Sequence, residues 1–209
     1  RYQGKVILLY KGREAIKLAL KILKLPKNSK VGVTGFTCHA VYQAIKETGL
    51  QPLYLDIDES LNFSSDKVGY FKVLIIQNTL GNPCDIQSLS KICKDKHVVL
   101  LEDLAHSIGT VYKNGKEAGT VGDFTALSFS QDKAVDAVSG GALIVRNSKY
   151  SDFNNGELKD ISLITRLKDR FYPILTFKVR NLYPYGFGKP FHFLLKNLNL
   201  LPKPVEAGK

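Results

Sequence analysis

In the middle of the sequence, two apolar runs are followed by polar side chains that could bind a ligand or react with it. Asp103 ends the run HVVLLED and is followed closely by His106, whereas Ser128 lies in FTALSFS with Lys133 just beyond it. An amine can form a covalent imine with a carbonyl compound, and a hydroxyl can hold an anion. A lone lysine is usually solvated, so such chemistry requires a fold that brings these side chains together.

The hydrophobic pattern predicts elements that would do so. Helices are predicted over residues 12–24, 39–49 and 85–96, with Gly49 as a C-cap and Asp85 as an N-cap. The predicted strands cover residues 30–34, 51–58, 71–81, 97–103, 124–130 and 141–147. This alternation indicates an α/β fold with a mainly parallel sheet covered by helices. In such sheets ligands bind at the carboxyl ends of the strands, which are residues 34–39, 77–82, 102–106 and 128–133.

This set of side chains meets the needs of pyridoxal 5′-phosphate. The cofactor needs an amine for a covalent link, an anion that keeps the pyridine nitrogen protonated, and a hydroxyl or helix N-terminus for the phosphate. Lys133, Asp103 and Ser128 are the candidates, in that order. The structural alternative is a solvated surface lysine for Lys133 and a hydroxyl packed at a strand end for Ser128. No metal site is predicted.

The composition is that of a soluble globular protein of one domain or slightly more. The 209 residues are 44% hydrophobic and 23% charged. No apolar run approaches the roughly 18 residues of a membrane span, and no secretory signal opens the sequence. Cys38, Cys84 and Cys93 do not form a disulfide framework. We therefore expect a protein of the reducing cytoplasm.

The net charge of +11 favours acidic partners such as nucleotide phosphates, nucleic acid or an anionic membrane. The charge is uneven, since residues 160–209 contain nine Lys and Arg against three Asp and Glu. The sequence also begins with Arg1, lacks methionine and ends without a closing element. We interpret it as a piece of a longer protein.

Residues 1–150 and 151–209 are predicted to be two regions of different character. The second mixes basic and aromatic residues and predicts helices around 160–181 and 191–198, joined by a Pro/Gly turn at 184–190. The simplest interpretation is a helical arm packed on its own domain or on a dimer partner, with aromatics buried and lysines outside. The alternatives are attachment to an anionic membrane surface and nucleic-acid binding. Nucleic acid is not expected, because one segment does not supply a basic groove.

Several motifs, in order, resemble those of the DegT/DnrJ/EryC1/StrS family of pyridoxal-phosphate-dependent aminotransferases that act on nucleotide-linked keto-sugars. They are YKGREAIKLAL, GFTCHAVYQAI, LYLDID, GNPCDI and SGGALIV, together with the stretch at 102–133. That stretch combines ED-x-A-H at a strand end, G-T-x-G-D in a turn and S-F-x-x-x-K. The resemblance covers about residues 9–147. It implies the large cofactor-binding domain of the aspartate-aminotransferase (fold type I) superfamily.

The resemblance implies a role for each matching side chain. Lys133 matches the lysine that binds the cofactor covalently, and Asp103 matches the carboxylate that faces the pyridine nitrogen. His106 lies where the family has glutamine or histidine near the cofactor's 3′-oxygen, and Ser128 matches the serine that holds the phosphate.

Further cofactor contacts are implied at two helix starts. The backbone at Arg13 and Glu14 opens the helix that would cap the phosphate. At the position of Cys38 the family often has an aromatic ring that stacks on the pyridine. Cys38 offers little stacking area, so His39 beside it is the alternative. Cys38 is not expected to be a nucleophile, since nothing indicates a paired base.

The implied reaction transfers an amino group from an amino acid, expected to be glutamate, to a keto-sugar nucleotide. The amino sugar would serve a surface polysaccharide or a secondary metabolite. Ala134 and Ser139 depart from the asparagine and glutamate usual in the family, so a catalytically silent scaffold or regulator is an alternative. A sugar dehydratase of the same family is another, although that branch replaces the lysine with histidine and Lys133 argues against it.

Family members continue into a small C-terminal domain that completes the substrate cleft, and their cofactor site lies between two subunits. Nothing after Ser151 matches that domain in full. The resemblance therefore implies a homodimer for the full-length protein and a fragment or shortened member here.

Overall fold

Residues 2–62, 68–153 and 161–202 are described by a computed structural model of the protein. Within these ranges seven strands form one sheet. The strands are β1 (Lys5–Leu9), β2 (Lys30–Thr34), β3 (Gln51–Leu55), β4 (Val73–Ile76), β5 (Val99–Asp103), β6 (Phe124–Ser128) and β7 (Gly141–Val145). The helices are α1 (Gly12–Ile22), α2 (His39–Glu47), α3 (Ile86–Asp95), α4 (Leu163–Leu182) and α5 (Gly188–Asn197).

The strand order is β1-β7-β6-β5-β4-β2-β3. The five strands from β3 to β6 run parallel, and β7 lies antiparallel to both β6 and β1. All residues of β4, β6 and β7 are buried, as expected for a sheet with helices on both faces. One core, on the side of α1 and α2, includes Leu20 and Ile45, and the other, beside α3, includes Ile86 and Leu89. The mainly parallel α/β prediction is confirmed.

Local sequence signals explain the helix boundaries near the sheet. In α1 the buried residues Ala15, Ile16, Ala19 and Leu20 form one apolar stripe. Asp85 caps α3, because its side chain accepts a hydrogen bond from the Ser88 amide at 3.2 Å. After α2 the chain leaves the helix at Gly49, whose φ of 76° is the left-handed conformation that glycine adopts without strain.

Several elements differ from the prediction. β1 was not predicted, because an edge strand with only one buried residue has little period-two signal and its partner β7 is far away in sequence. The strand predicted over 71–81 ends at Ile76, since Asn78 turns the chain with a φ of 47°. The Asn78 side chain stabilises that turn by accepting from the Cys84 amide and donating to Tyr112. The last helix begins at Gly188, before the predicted position.

The basic, aromatic region forms a hairpin of α4 and α5. The two helices approach closely at Gly188, where a Cβ would lie 2.8 Å from the Val179 carbonyl oxygen, and Val179 and Leu195 are buried. Packing on the protein's own domain does not bury the aromatic residues, so that part of the simplest interpretation is wrong: Phe171, Phe177, Tyr183 and Tyr185 are exposed. Within the described ranges, no helix has the length and apolar character that a bilayer crossing requires.

Candidate functional site

Asp103 occupies the carboxyl end of β5 and is buried. One carboxylate oxygen accepts a hydrogen bond from the Ala105 amide at 3.1 Å, and the other accepts from Gln77 Nε2 at 3.2 Å. Gln77 in turn accepts from the Thr34 hydroxyl at 3.4 Å, which connects the ends of β2, β4 and β5. These contacts fix the orientation of the Asp103 carboxylate at the ligand edge of the sheet.

His106 and Lys133 lie close enough to Asp103 to interact with its charge. Burial raises the pKa of Asp103, while hydrogen bonds from Ala105 and Gln77 and the positive charges of His106 and Lys133 oppose that rise. Partial burial and the Lys133 charge lower the pKa of His106, against the opposite influence of Asp103. Two of the predicted site residues, His106 and Lys133, thus lie within electrostatic reach of the buried Asp103 carboxylate.

Ser128 lies at the end of β6 against the first residue of α1. A Cβ on Gly12 would lie only 2.6 Å from the Ser128 Cβ, so the helix start and the serine are in close contact. Lys11, the N-cap of α1, gives the first turn no side-chain hydrogen bond. A hydroxyl beside a helix N-terminus that lacks a side-chain cap is suited to an anion, because amide N–H groups and the helix dipole point at it.

Arg13 and Glu14, whose backbone was predicted to contact the phosphate, lie at this same helix start. The Glu14 amide donates to the Lys11 carbonyl oxygen at 3.1 Å, so the Arg13 amide is the better placed of the two for a ligand. The Arg13 side chain points to α2, where it donates to Gln43 Oε1 at 3.2 Å.

Gly140 and Gly141 allow β7 to pass under the start of α1. The Gly140 amide donates to the Tyr10 carbonyl at 2.7 Å with a φ of 131°, a conformation that other residues rarely adopt. A Cβ on Gly141 would lie 2.6 Å from the Lys11 carbonyl carbon. The glycine pair after the lysine loop therefore supports the candidate phosphate end of the site.

The loop between β6 and β7 carries Lys133 and is attached to α4 at two points. The Ser139 hydroxyl donates to Asp169 at 2.6 Å, and the Tyr172 hydroxyl donates to Gln131 Oε1 at 3.3 Å. The second oxygen of Asp169 is buried and has no hydrogen-bond partner among the described residues. The sequence did not predict these contacts, since no local pattern relates the loop to a helix so far along the chain.

Cys38 and His39 lie at the start of α2, beside a cleft of about 440 Å³. The cleft is lined by Gly35, Thr37, Cys38, His39, Tyr42 and Tyr54. The His39 ring stacks on Tyr42 with a centroid distance of 5.4 Å, and the buried Thr37 hydroxyl has no hydrogen-bond partner among the described residues. In the same ranges, no hydrogen bond or ring contact joins Cys38 or His39 to Asp103 or Lys133, so their stacking role stays a prediction.

Glu102, the neighbour of Asp103 in the ED motif, has a structural role. Its fully buried carboxylate accepts hydrogen bonds of 2.5–2.8 Å from four donors and lies 4.0 Å from Arg146. The donors are the Tyr112 hydroxyl and the amides of Gly119, Val121 and Gly122. Glu102 therefore fixes the G-T-x-G-D turn that leads into β6 and Ser128.

The buried cysteines are not candidate nucleophiles. Burial raises the pKa of the Cys84 and Cys93 thiols to about 12, so both stay protonated at neutral pH. Cys38 is exposed, and all three thiols are free. In the part of the chain that the structure describes, no group of three His, Cys, Asp or Glu side chains could hold a metal ion.

Comparisons with known proteins show what the chain is similar to. A sequence profile of the DegT/DnrJ/EryC1/StrS aminotransferase family matches residues 3–160. GDP-perosamine synthase of Vibrio cholerae is 35% identical over 143 residues, which are 66% of this chain and 38% of that protein. GDP-4-keto-6-deoxy-D-mannose 3-dehydratase of Yersinia pseudotuberculosis is 31% identical over 127 residues, which are 58% of this chain and 32% of that protein.

A solved structure shows the same fold. The aminotransferase TlmJ from Streptoalloteichus hindustanus superposes with a TM-score of 0.65 at 25% identity, over 70% of this chain and 41% of that one. The chain thus spans about two fifths of the length of the first relatives it matches. These similarities confirm the resemblance seen in the motifs and the predicted fold class.

Proposed function

Because the chain belongs to the DegT/DnrJ/EryC1/StrS aminotransferase family, we propose that it forms the cofactor-binding part of a pyridoxal-phosphate-dependent sugar aminotransferase. The proposed reaction moves an amino group from an amino acid, with glutamate as donor, to the keto group of a nucleotide-linked sugar. The observation that supports this proposal is the buried Asp103 carboxylate at the carboxyl edge of the sheet, oriented by Ala105 and Gln77. The charges of His106 and Lys133 act on it.

The donor set fits the cofactor at both of its ends. A buried carboxylate at the ligand edge suits a protonated pyridine nitrogen, and Lys133 supplies the amine. A serine hydroxyl against the start of α1, where the Lys11 side chain provides no cap, suits a dianionic phosphate. Each group lies on a different element, and the sheet edge sets their spacing.

Pyridoxal phosphate, when bound, supplies a ring that takes up the electrons left behind when a proton leaves a substrate carbon. Lys133 would hold the cofactor covalently through Nζ and afterwards move the proton from the substrate's amine-bearing carbon. Asp103, oriented by Ala105 and Gln77, would accept the pyridine N–H and keep that proton in place. His106, whose pKa is lowered, would donate an N–H to the 3′-oxygen as the neutral imidazole.

The substrate class is proposed from charge and similarity. A net charge of +11 suits a diphosphate-bearing substrate, and the relative from Vibrio cholerae is named for a GDP-linked amino sugar. We also propose a cytoplasmic homodimer for the full-length protein, with the cofactor site close to the second subunit, and a role in surface-polysaccharide or secondary-metabolite synthesis.

Cofactor binding tests the proposal directly. Added pyridoxal phosphate should give a visible absorbance band from the covalent link, and Lys133→Ala should abolish it, whereas the exposed-lysine control Lys94→Ala should keep it. Asp103→Asn should bind the cofactor with little loss but transaminate far more slowly. An unchanged band in Lys133→Ala, or a normal rate in Asp103→Asn, would remove that residue from its proposed role.

The related dehydratase from Yersinia pseudotuberculosis supports a second candidate, dehydration of a keto-sugar nucleotide. Lys133 favours transamination, because its amine can hold the cofactor covalently, whereas the amino group that is transferred comes from the amino-acid donor. Incubating the cofactor-loaded protein with glutamate and a keto-sugar nucleotide separates the candidates. A spectral shift with release of 2-oxoglutarate and an aminated sugar product supports the aminotransferase. Loss of water from the keto-sugar supports the dehydratase, and a loaded protein with neither reaction supports the silent scaffold.

A further inference from the structure

Helix α4 presents its apolar side to solvent. Leu163, Ile164 and Phe177 are 71%, 67% and 63% exposed, and Leu167, Phe171 and Ile174 are also exposed. Their spacing of three and four residues puts these side chains on one face of the helix. An exposed apolar patch of this kind marks a contact surface. We call this side of α4 the outer face.

The opposite side of α4 makes the contacts with the rest of the protein. Val179 is buried against α5, Asp169 accepts from Ser139, and Tyr172 donates to Gln131. These three residues lie roughly half a helical turn away from Phe171 and Ile174. The hairpin is therefore attached through its inner side, and this attachment directs the apolar stripe outward.

The hairpin is also strongly basic. Residues 163–197 contain seven Lys and Arg and a single acidic residue, Asp169, which is engaged by Ser139. Arg170 and Lys178 alternate with the apolar side chains of the outer face, and Lys196 is exposed on α5 close to the exposed Phe193. The surface thus combines exposed bulky apolar groups with exposed positive charge.

The combination of apolar and basic groups decides which partner is expected to bind the outer face. A second copy would bring two strongly positive faces together, which like-charge repulsion opposes. Nucleic acid would neutralise the lysines but offers no apolar layer for Leu163, Ile164 and Ile174. An anionic bilayer satisfies both features, because phosphates bind the basic groups and the acyl boundary receives the apolar ones. We propose that the α4–α5 hairpin docks the protein on anionic lipid membranes through the outer face.

Flotation with vesicles tests the proposal. The protein is expected to float with vesicles of phosphatidylcholine plus phosphatidylglycerol at low salt, to be largely released at high salt, and not to float with phosphatidylcholine alone. The triple variant Arg170→Gln, Lys178→Gln, Lys196→Gln should bind about 100-fold more weakly, since each basic residue near an anionic surface gives about a fivefold gain. The matched control Lys46→Gln, Lys91→Gln, Lys94→Gln removes three exposed lysines of the sheet region and should bind normally.

The apolar contribution needs its own variant. Phe171→Ser with Phe177→Ser should weaken flotation at least tenfold, whereas Tyr70→Ser with Leu80→Ser, at highly exposed positions outside the hairpin, should not. Circular dichroism establishes that each variant is folded before it is scored. The proposal is overturned if the wild type does not float at low salt, or if hairpin and control variants behave alike. It is also overturned if the protein self-associates and the phenylalanine variant disperses it, because a second copy then covers the outer face.

Discussion

The helix α1 beside the sheet and the helix α4 of the hairpin have the same kind of apolar periodicity, but one apolar stripe is buried and the other is exposed. In α1, residues such as Ile16 and Leu20 face the sheet and are almost completely buried. In α4, residues of the same type, such as Ile164 and Leu167, face solvent, and the half-buried Asp169 and Tyr172 face the protein. The apolar stripe of a helix therefore shows that a surface will be covered, but not which partner covers it.

The two regions also differ in what their polar groups do. In the sheet region, buried carboxylates are saturated with hydrogen bonds and hold turns and site residues in place. In the hairpin, most charged groups point outward and only Asp169 makes a described bond to the loop that carries Lys133. We therefore expect substitutions in the sheet to cost folding stability and those on the outer face to change binding.

Glu102→Ala should be the most damaging single change in the sheet region. Three backbone amides and Arg146 would lose a buried acceptor, which typically costs about 3–5 kcal/mol. Urea unfolding followed by circular dichroism measures the loss. The exposed Glu59→Ala is the matched control and should stay within about 0.5 kcal/mol of the wild type. Equal losses of unfolding free energy in the two variants would show that the hydrogen bonds of Glu102 do not stabilise the fold.

Leu101→Ala and Ile164→Ala compare the two regions directly. Leu101 is completely buried in the sheet core, so its truncation should cost about 2–5 kcal/mol. Ile164 is exposed on the outer face, so its truncation should cost less than about 0.5 kcal/mol. The same urea titration serves both variants. A cost for Ile164→Ala as large as that for Leu101→Ala would mean that the outer face is already covered in solution.

Asp169→Ala tests the link between the regions. Loss of the hydrogen bond from Ser139 should loosen the lysine loop by about 1 kcal/mol, or roughly fivefold faster amide exchange over residues 131–139. Hydrogen exchange with mass spectrometry on the cofactor-free protein measures it, and Asp152→Ala, at an exposed position, is the control. Unchanged exchange in the loop would show that α4 lies beside it without restraining it.

Lys133→Gln should raise the pKa of His106, because a positive charge that disfavours the imidazolium is removed. In the wild type the lowered pKa means that the folded state binds this proton less tightly than the unfolded chain. Stability should therefore fall as the pH drops below about 6.5 through the lowered pKa, and fall less in the variant. NMR titration of the imidazole protons without cofactor gives the pKa. An identical His106 titration in both proteins would place Lys133 too far away to act in the same site.

Those parts of the fold that depend on neighbouring residues could be predicted from the sequence. The cap at Asp85, the stripe of α1 and the strand end at Asp103 each follow from a short pattern. Long-range pairing could not be predicted, as with β1 against β7, because an edge strand carries little periodic signal.

In the candidate site, too, local features could be predicted from the sequence and long-range contacts could not. The spacing of Asp103, His106, Ser128 and Lys133 indicated one sheet edge, where the charges of His106 and Lys133 act on Asp103. Their roles toward the cofactor stay predictions. The role of Gln77 as a bridge between Thr34 and Asp103 depends on the order of strands in space, which local sequence does not contain. The direction of the α4 stripe likewise depends on the contacts of Asp169 and Tyr172 with a distant loop.

The pairing of the first strand with the last has a consequence for the order of folding. Among the described strands β1 pairs with β7 alone, and their register joins Lys5 to Val145 across nearly the whole sheet region. Pairs this distant in sequence form late, since a long loop must close before any contact is gained. The close contact of Gly141 with Lys11 belongs to the same closure. We therefore expect the phosphate end of the site to assemble after the parallel strands, with β1 amides protected last in pulse-labelled hydrogen exchange, so that the cofactor binds a nearly finished fold.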